Sequence, residues 1–313
     1  RHRSCDRWRH SRPGSWRLLN SHLCPMKPAP FEYHTPRTLD EATELLASLD
    51  NAKVLAGGQS LVPMMNFRYV IVDHLVDLAR VDGLAGIRIV DDIMRIGAMT
   101  RQRDIEFSTD IASYAPLLHA ALKNVGHRQT RNRGTIGGSL VHADPAAEMP
   151  AVCAAMEAVL EIAGKKGTRK IKFSEFSNGF MSTVLEPDEI VTAIEFPLWP
   201  NGHGYGFREF ARRRGDFAVA GAAVLLDTDG ALVKRAAIAL CGVGNMPSRQ
   251  PEAEAALTER HLDASALDRA IAALDSLEPI ADVHATADYR RHLSRVLLTR
   301  ALRDAATVRG IAL

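Results

Sequence analysis

Cysteine is scarce in this chain: four residues in 313, of which Cys5 and Cys24 fall in the first 25. The other two, Cys153 and Cys241, stand alone in apolar stretches. No spacing among them suits zinc or an iron–sulfur cluster, and both read as buried thiols of a reduced, cytoplasmic protein. The twelve histidines form no metal-ligand spacing. No nucleophile–histidine–acid arrangement stands out for acyl or related group transfer. Internal repeats are absent, and nothing reads as a membrane span. One strong charge sign is missing as well. The first 25 residues hold six arginines and a single acid, Asp6; without them the formal net charge falls from +2 to −3. The mildly basic balance belongs to that segment and gives no support for nucleic-acid binding.

The same 25 residues contain no apolar h-region and no helical periodicity, so they form no signal peptide. Met26 begins a different kind of sequence. Residues 1–25 are therefore expected to be disordered, as translated upstream sequence or a cloning remnant, with a functional basic arm as the other reading.

Two glycine pairs with similar wording organise the rest of the chain: Leu55-Ala56-Gly57-Gly58-Gln59-Ser60 and Gly134-Thr135-Ile136-Gly137-Gly138-Ser139. Glycine lets backbone approach a ligand closely and adopt positive φ, so successive N–H groups can converge on phosphate oxygens. A plain turn is the other reading of each pair. Two such loops together are expected to grip a ligand with adjacent phosphates.

Around them, Thr38-Leu39-Asp40-Glu41 is a capping box opening an amphipathic helix with Leu45, Leu46 and Leu49 on one face. Val54-Leu55-Ala56 and His74–Leu78 read as strands, giving a βαβ-like unit over about 31–80. Gly86–Val90 and Met94–Met99 form a hairpin about Asp91-Asp92. Helices are expected at about 101–107 and 115–124, with Gly126 at the C′ position of the second, and again over Ala146–Ala158. Strands at 159–163, 169–173 and 189–196 complete a mostly antiparallel unit. Pro197–Gly202 is a turn-rich boundary. Beyond it come three strands (Tyr205–Arg213, Ala218–Asp227, Leu232–Val243) and then helices. The last helix has an apolar stripe at Leu293, Val296, Leu297 and Ala301 and a basic polar face at Arg290, Arg291 and Arg295. The basic run His127–Arg133 reads as a solvated loop, or as arginines facing phosphates or a partner's acidic patch; Arg212-Arg213-Arg214 carries the same pair of readings.

Several segments recur in the order of one known family: Phe31-Glu32-Tyr33-His34, Leu55–Pro63, Ile96–Thr100, Gly134–Ser139, Asp144-Pro145, Gly202–Tyr205, Gly215-Asp216-Phe217-Ala218 and Asp288-Tyr289-Arg290. From about Phe31 to Ala306 the chain resembles the medium, FAD-binding subunit of molybdenum hydroxylases of the aerobic carbon monoxide dehydrogenase and xanthine dehydrogenase family. The resemblance implies an α+β architecture. A two-subdomain FAD-binding domain of the vanillyl-alcohol-oxidase/xanthine-dehydrogenase type would occupy 26–200, and a small C-terminal domain with a three-stranded antiparallel sheet plus helices would occupy 201–313. It implies that Leu55, Ala56, Gly57, Gly58, Gln59 and Ser60 cradle the FAD diphosphate from one side. Thr135, Ile136, Gly137, Gly138 and Ser139 would close from the other, with donors from both loops. Glu148 stands where the family has a carboxylate on the adenosine part of FAD; a helix-start acid favoured by the macrodipole is the other reading. Phe217 stands where carbon monoxide dehydrogenases place a tyrosine against the isoalloxazine ring, and Gln59 replaces a common histidine, which argues against carbon monoxide as substrate. The implied partners are a large molybdenum-cofactor subunit, a small [2Fe–2S] subunit and an external electron acceptor, with no nucleic acid. A self-contained FAD-dependent oxidase or reductase on the same cofactor fold is the competing reading.

Overall fold

The computed structural model describes residues 26–313, so the expectation for residues 1–25 lies outside the described residues. The chain opens with β1 (Glu32–His34), α1 (Leu39–Ser48), β2 (Ala52–Leu55), α2 (Leu61–Asn66) and β3 (His74–Asp77), whose strands form a parallel sheet in the order β1-β3-β2. Thr38 caps α1 by accepting from the Glu41 N–H, while the Glu41 carboxylate reaches back to the N–H of Arg37. Ala42 and Leu46 of α1 are buried with Val76 of β3 and Ile190, which fixes the helix on one face of the sheet.

The hairpin of β4 (Ile87–Val90) and β5 (Ile93–Gly97) turns at Asp91 and Asp92, both at positive φ as a tight I′-type connection requires. Six short helices follow: α3 (Gln102–Glu106), α4 (Thr109–Tyr114), α5 (Pro116–Leu122), α6 (Arg128–Arg133), α7 (Ile136–His142) and α8 (Glu148–Ala155). Next come β6 (Val159–Gly164), β7 (Gly167–Lys172), α9 (Phe173–Phe176), β8 (Ser177–Gly179), β9 (Ser182–Thr183) and β10 (Ile190–Pro197). An antiparallel five-stranded sheet runs β4-β5-β10-β6-β7. Its strands alternate with period two: Met94, Ile96, Leu160, Ile162, Ile194 and Phe196 point into the core. On the opposite face, Arg95 pairs with Glu161, and Lys170 with Glu161 and Glu195.

The C-terminal region contains β11 (Gly204–Phe210), β12 (Ala220–Asp229), β13 (Leu232–Cys241), β14 (Ser248–Arg249), α10 (Pro251–Ala255), α11 (Ala264–Ala272) and α12 (Ala287–Val308). Its sheet has four strands, in the order β11-β12-β13-β14, rather than the three expected. The extra strand is only two residues long and carries no alternating pattern for a sequence to show. Both faces of this sheet are covered. Ala223 and Leu225 of β12, with Ala237 and Ala239 of β13, join the core containing Leu117 of α5 and Met149 and Val152 of α8. The residues between them, Val224, Leu226, Ile238 and Leu240, pack with Leu297, Leu298, Ala301 and Leu302 of α12.

Three further expectations change. Helix α5 stops at Leu122, so Gly126, at φ +48, lies past its C-terminus and shapes the turn into α6. His127–Arg133 is not a free loop. Most of it is helix α6, and Arg131 is buried in a fork with Glu106 at 2.8 Å while its Nη1 donates to the Val125 carbonyl. Arg290 leaves the polar face of α12 entirely and is 4 % exposed.

Candidate functional site

The first glycine loop connects β2 to α2 at the carboxyl end of the parallel sheet. Gly58 takes φ +71, the left-handed conformation that favours glycine. Among the described residues, the backbone N–H groups of Gly57, Gly58, Gln59 and Ser60 donate to no protein acceptor. Ser60 occupies the N-cap position of α2 but its hydroxyl caps nothing, and the Gln59 amide folds back onto the Gly57 carbonyl at 3.2 Å. Four successive uncommitted donors and a free hydroxyl are the kind of group a backbone anion-binding nest uses.

The second segment is built differently. Thr135 is the N-cap of α7 and its hydroxyl accepts from the Gly138 N–H at 3.1 Å. Ile136 N–H donates to the Thr100 carbonyl, Gly137 N–H to the Ala98 carbonyl, and Ser139 N–H to the Thr135 carbonyl. Four of its five N–H groups are therefore engaged within the protein, and only that of Thr135 has no acceptor among the described residues, so the second segment offers far fewer free donors than the first. Gly137 and Gly138 are helical, so positive φ is not the reason for either. The reason is proximity: a Cβ on Gly137 would lie 2.6 Å from the Ala98 Cβ, and one on Gly138 only 2.8 Å from the Thr135 hydroxyl. Ile136 and Gly137 are buried in the core, leaving Gly138 and Ser139 as the reachable pair.

The two glycine segments abut. A Cβ on Gly57 would fall 2.4 Å from the Arg133 carbonyl oxygen and 2.7 Å from the Gly134 Cα, and one on Gly138 would sit 3.4 Å from the Ala56 Cβ. Arg101 reinforces this seam by donating to the Arg133 carbonyl. Residues about eighty positions apart thus lie side by side, the uncommitted donors of the first segment next to the close-packed glycines of the second.

Glu148 opens α8 and is 5 % exposed. Burial, and next the charge of Glu209, push its carboxyl up to about 8. Burial likewise raises Glu209 to about 7, and one of its carboxylate oxygens has no partner. Asp144, a neighbour of Glu148, is committed locally: its carboxylate accepts from the Ala146 N–H at 2.8 Å. Phe217 is 61 % exposed, on the loop joining β11 to β12. That loop rests on the turn opening α6, since a Cβ on Gly215 would lie 2.6 Å from the His127 ring. Helix α6 ends at Gly134, which ties the Phe217 loop to the second glycine segment.

A buried acid pair carries a pH signature. Because Glu148 holds its proton more tightly folded than unfolded, its contribution to stability is fully present below the ordinary carboxylate pKa of 4.5 and is lost as pH rises toward 8. Flavin-free protein is therefore expected to melt several degrees lower at about pH 8.5 than at about pH 5, with Glu148→Gln flattening the profile. Equal slopes for the two proteins in thermal melts across that range would show that Glu148 ionises without penalty.

Sequence reasoning missed Arg290. From α12 its guanidinium donates to the carbonyls of Val219 and Gly242 and to Asp282 at 2.6 Å. The Gly242 N–H in turn donates to the Pro145 carbonyl at 2.7 Å, just ahead of Glu148. The Asp288-Tyr289-Arg290 segment was the only signal for it.

Comparison with known proteins shows what the whole chain is similar to. Residues 29–199 match a family described as the FAD binding domain in molybdopterin dehydrogenase, and residues 205–305 match the CO dehydrogenase flavoprotein C-terminal domain. The chain is 42% identical over 285 residues to the 6-hydroxypseudooxynicotine dehydrogenase complex subunit alpha of Paenarthrobacter nicotinovorans, covering 90% of this chain and 96% of that protein. It is 37% identical over 282 residues to the carbon monoxide dehydrogenase medium chain of Afipia carboxidovorans, covering 90% and 98%. Among solved structures, a chain of the Hydrogenophaga pseudoflava carbon monoxide dehydrogenase lacking the Mo-pyranopterin moiety of its cofactor superposes with a TM-score of 0.87 at 37% identity. That match covers 90% of this chain and 99% of the other. Quinoline 2-oxidoreductase from Pseudomonas putida 86 gives 0.86 at 35% identity, covering 90% and 98%.

Proposed function

The chain belongs to the FAD-binding medium subunits of the molybdenum hydroxylases, and on that premise we propose that it moves electrons from a [2Fe–2S] partner subunit through FAD to an external acceptor. It is a flavoprotein and the flavin-bearing part of an oxidoreductase. In this reading a large molybdenum-cofactor subunit hydroxylates the substrate and a small iron–sulfur subunit relays the electrons. The substrate pocket then lies in another chain, which fits relatives whose names cite substrates as different as carbon monoxide and caffeine. Bound FAD accepts electrons singly and releases them in pairs.

The observation that carries the proposal is the row of uncommitted N–H groups at Gly57–Ser60 beside the glycines of the second segment. A pyrophosphate needs several fixed donors and tolerates little side-chain bulk. Leu55, Ala56, Gly57, Gly58, Gln59 and Ser60 are assigned to the donor side. Thr135, Ile136, Gly137, Gly138 and Ser139 form the opposing wall, in which Ser139 supplies a hydroxyl and Ile136, Gly137 and Gly138 supply shape. The Thr135 N–H, unengaged within the protein, is the backbone donor left on that wall; Glu148 is assigned to the adenosine side and Phe217 to the flavin ring. No side chain here has to act as acid or base. A cytoplasmic setting belongs to the same proposal and rests on Cys153 and Cys241, which are buried and unpaired. Among the described residues, no helix is long and apolar enough to cross a membrane.

The test is substrate-dependent dye reduction with and without the two partner chains, alongside acid precipitation of the holoprotein. The isolated chain is expected to release its FAD on precipitation and to show no substrate turnover. Turnover by this chain alone would establish the self-contained oxidase or reductase instead.

A further inference from the structure

Although no histidine spacing in the sequence suggests a metal, the parallel sheet brings His34 of β1 beside His74 of β3. Their ring nitrogens, Nε2 of His34 and Nδ1 of His74, lie 3.2 Å apart. The Glu32 carboxylate lies 3.5 Å from the His74 nitrogen and 4.0 Å from that of His34. The register explains the convergence. Glu32 pairs with His74 across β1 and β3, and His34 follows Glu32 two residues on, so all three side chains share one face. The imidazole planes are tilted at 46°, so the rings meet through their nitrogens rather than by stacking.

We propose that Glu32, His34 and His74 form a binding site for a divalent zinc-type cation that fastens the edge strand β1 to β3. Zinc bonds of about 2.0–2.2 Å in tetrahedral array place neighbouring ligand atoms about 3.3–3.5 Å apart. The three separations of 3.2, 3.5 and 4.0 Å bracket that spacing, and the longest involves the most exposed of the three groups, the 75 % exposed Glu32 side chain. Two neutral imidazoles and one carboxylate are a donor set for a borderline ion such as zinc. The histidine side chains are about one-fifth exposed, which leaves solvent access for a water as fourth ligand.

The site stands apart from the first glycine loop. His74 is in register with Ala52 at the start of β2, whereas the glycine loop follows Leu55 at the other end of that strand, about 10 Å farther along the sheet. Strand β1 has only three residues and pairs with β3 alone, so a cross-strand clip supplies what its short ladder lacks.

Untagged full-length chain, stripped with chelator, would be titrated with zinc chloride by calorimetry, with bound metal, flavin content and melting temperature recorded. Cys5, Cys24 and the other histidines offer zinc further ligands, so the quantity read is the difference between wild type and a His34→Asn/His74→Asn double variant. The double variant is expected to bind about a hundredfold more weakly and to lose the zinc-dependent rise in melting temperature, with flavin content unchanged. Glu32→Gln, on an exposed side chain that leaves the fold intact, is expected to weaken binding about tenfold. Zinc affinity in Glu32→Gln and the double variant equal to wild type, or no stoichiometric zinc uptake by the wild type, would reduce the pair to a histidine–histidine hydrogen bond and overturn the proposal.

Discussion

Gly58→Val is expected to purify folded but nearly free of flavin, at about a tenth or less of the wild-type flavin-to-protein ratio. At φ +71 a β-branched residue is strained by about 1–2 kcal/mol, and relief of that strain rotates the peptide units that aim the N–H groups of Gly58 and Gln59. The protein around it can give way, because the nearest atoms to an added Cβ are side-chain tips, Val62 Cγ2 at 3.2 Å and Leu55 Cδ1 at 3.3 Å. Gly137→Val is expected to behave otherwise. Its added carbon meets the Ala98 backbone, with the carbonyl oxygen at 2.8 Å, so α7 must part from the end of β5 and the fold is lost together with the cofactor. Flavin absorbance and far-ultraviolet circular dichroism, measured on both variants, separate the two outcomes. Full flavin content in Gly58→Val would place the phosphate cradle elsewhere.

That contrast marks how far the sequence could be read. The glycine pairs singled out two segments that the fold does bring together, because glycine followed by a hydroxyl or amide is written in the chain itself. Their division of labour was not visible. Thr135 turns the second pair into the first turn of a helix, and whether a donor is free depends on carbonyls at Ala98 and Thr100, which belong to another segment. The hairpin about Asp91-Asp92 and the long C-terminal strands were legible for the same local reason: turn chemistry and alternation are short-range. Arg290 and Arg131 were not, since a buried arginine on a helix looks like a surface one until its distant acceptors are known. His34 and His74 illustrate the point most plainly: forty residues separate them along the chain and one hydrogen-bond length separates them in the sheet.

Arg290→Met is expected to cost about 3 kcal/mol, a fall of roughly 6–12 °C in melting temperature for a chain of this size. The methionine fills much of the volume but leaves the Val219 and Gly242 carbonyls without their donor, and unpaired buried acceptors account for most of the loss. Asp282 is partly exposed and rehydrates, so its share is smaller. Arg290→Lys keeps the charge but cannot present a planar fork to three acceptors, and should recover less than half of the deficit. Because Val219 lies two residues beyond Phe217 and Gly242 holds Pro145, flavin affinity should weaken in step with stability. A melting temperature within a degree of wild type in Arg290→Met would mean that the three contacts are incidental.

The sheet of β12 and β13, with one face against α5 and α8 and the other against α12, also dictates an order of assembly. On the ribosome, α5 and α8 emerge well before residues 220–241; Ile96, Leu160 and Ile194 of the five-stranded sheet can already share their core, but the part that Ala223, Leu225, Ala237 and Ala239 fill stays open until that hairpin arrives. Local pairing of β12 with β13 through the Gly230-Ala231 turn is quick, whereas docking on both neighbours requires contacts distant along the chain. The nascent N-terminal portion therefore waits in a state prone to self-association, and the hairpin acts as the keystone that ends it. A shorter chain stopping near residue 200 would lack that keystone and remain an unfinished version of the same flavoprotein.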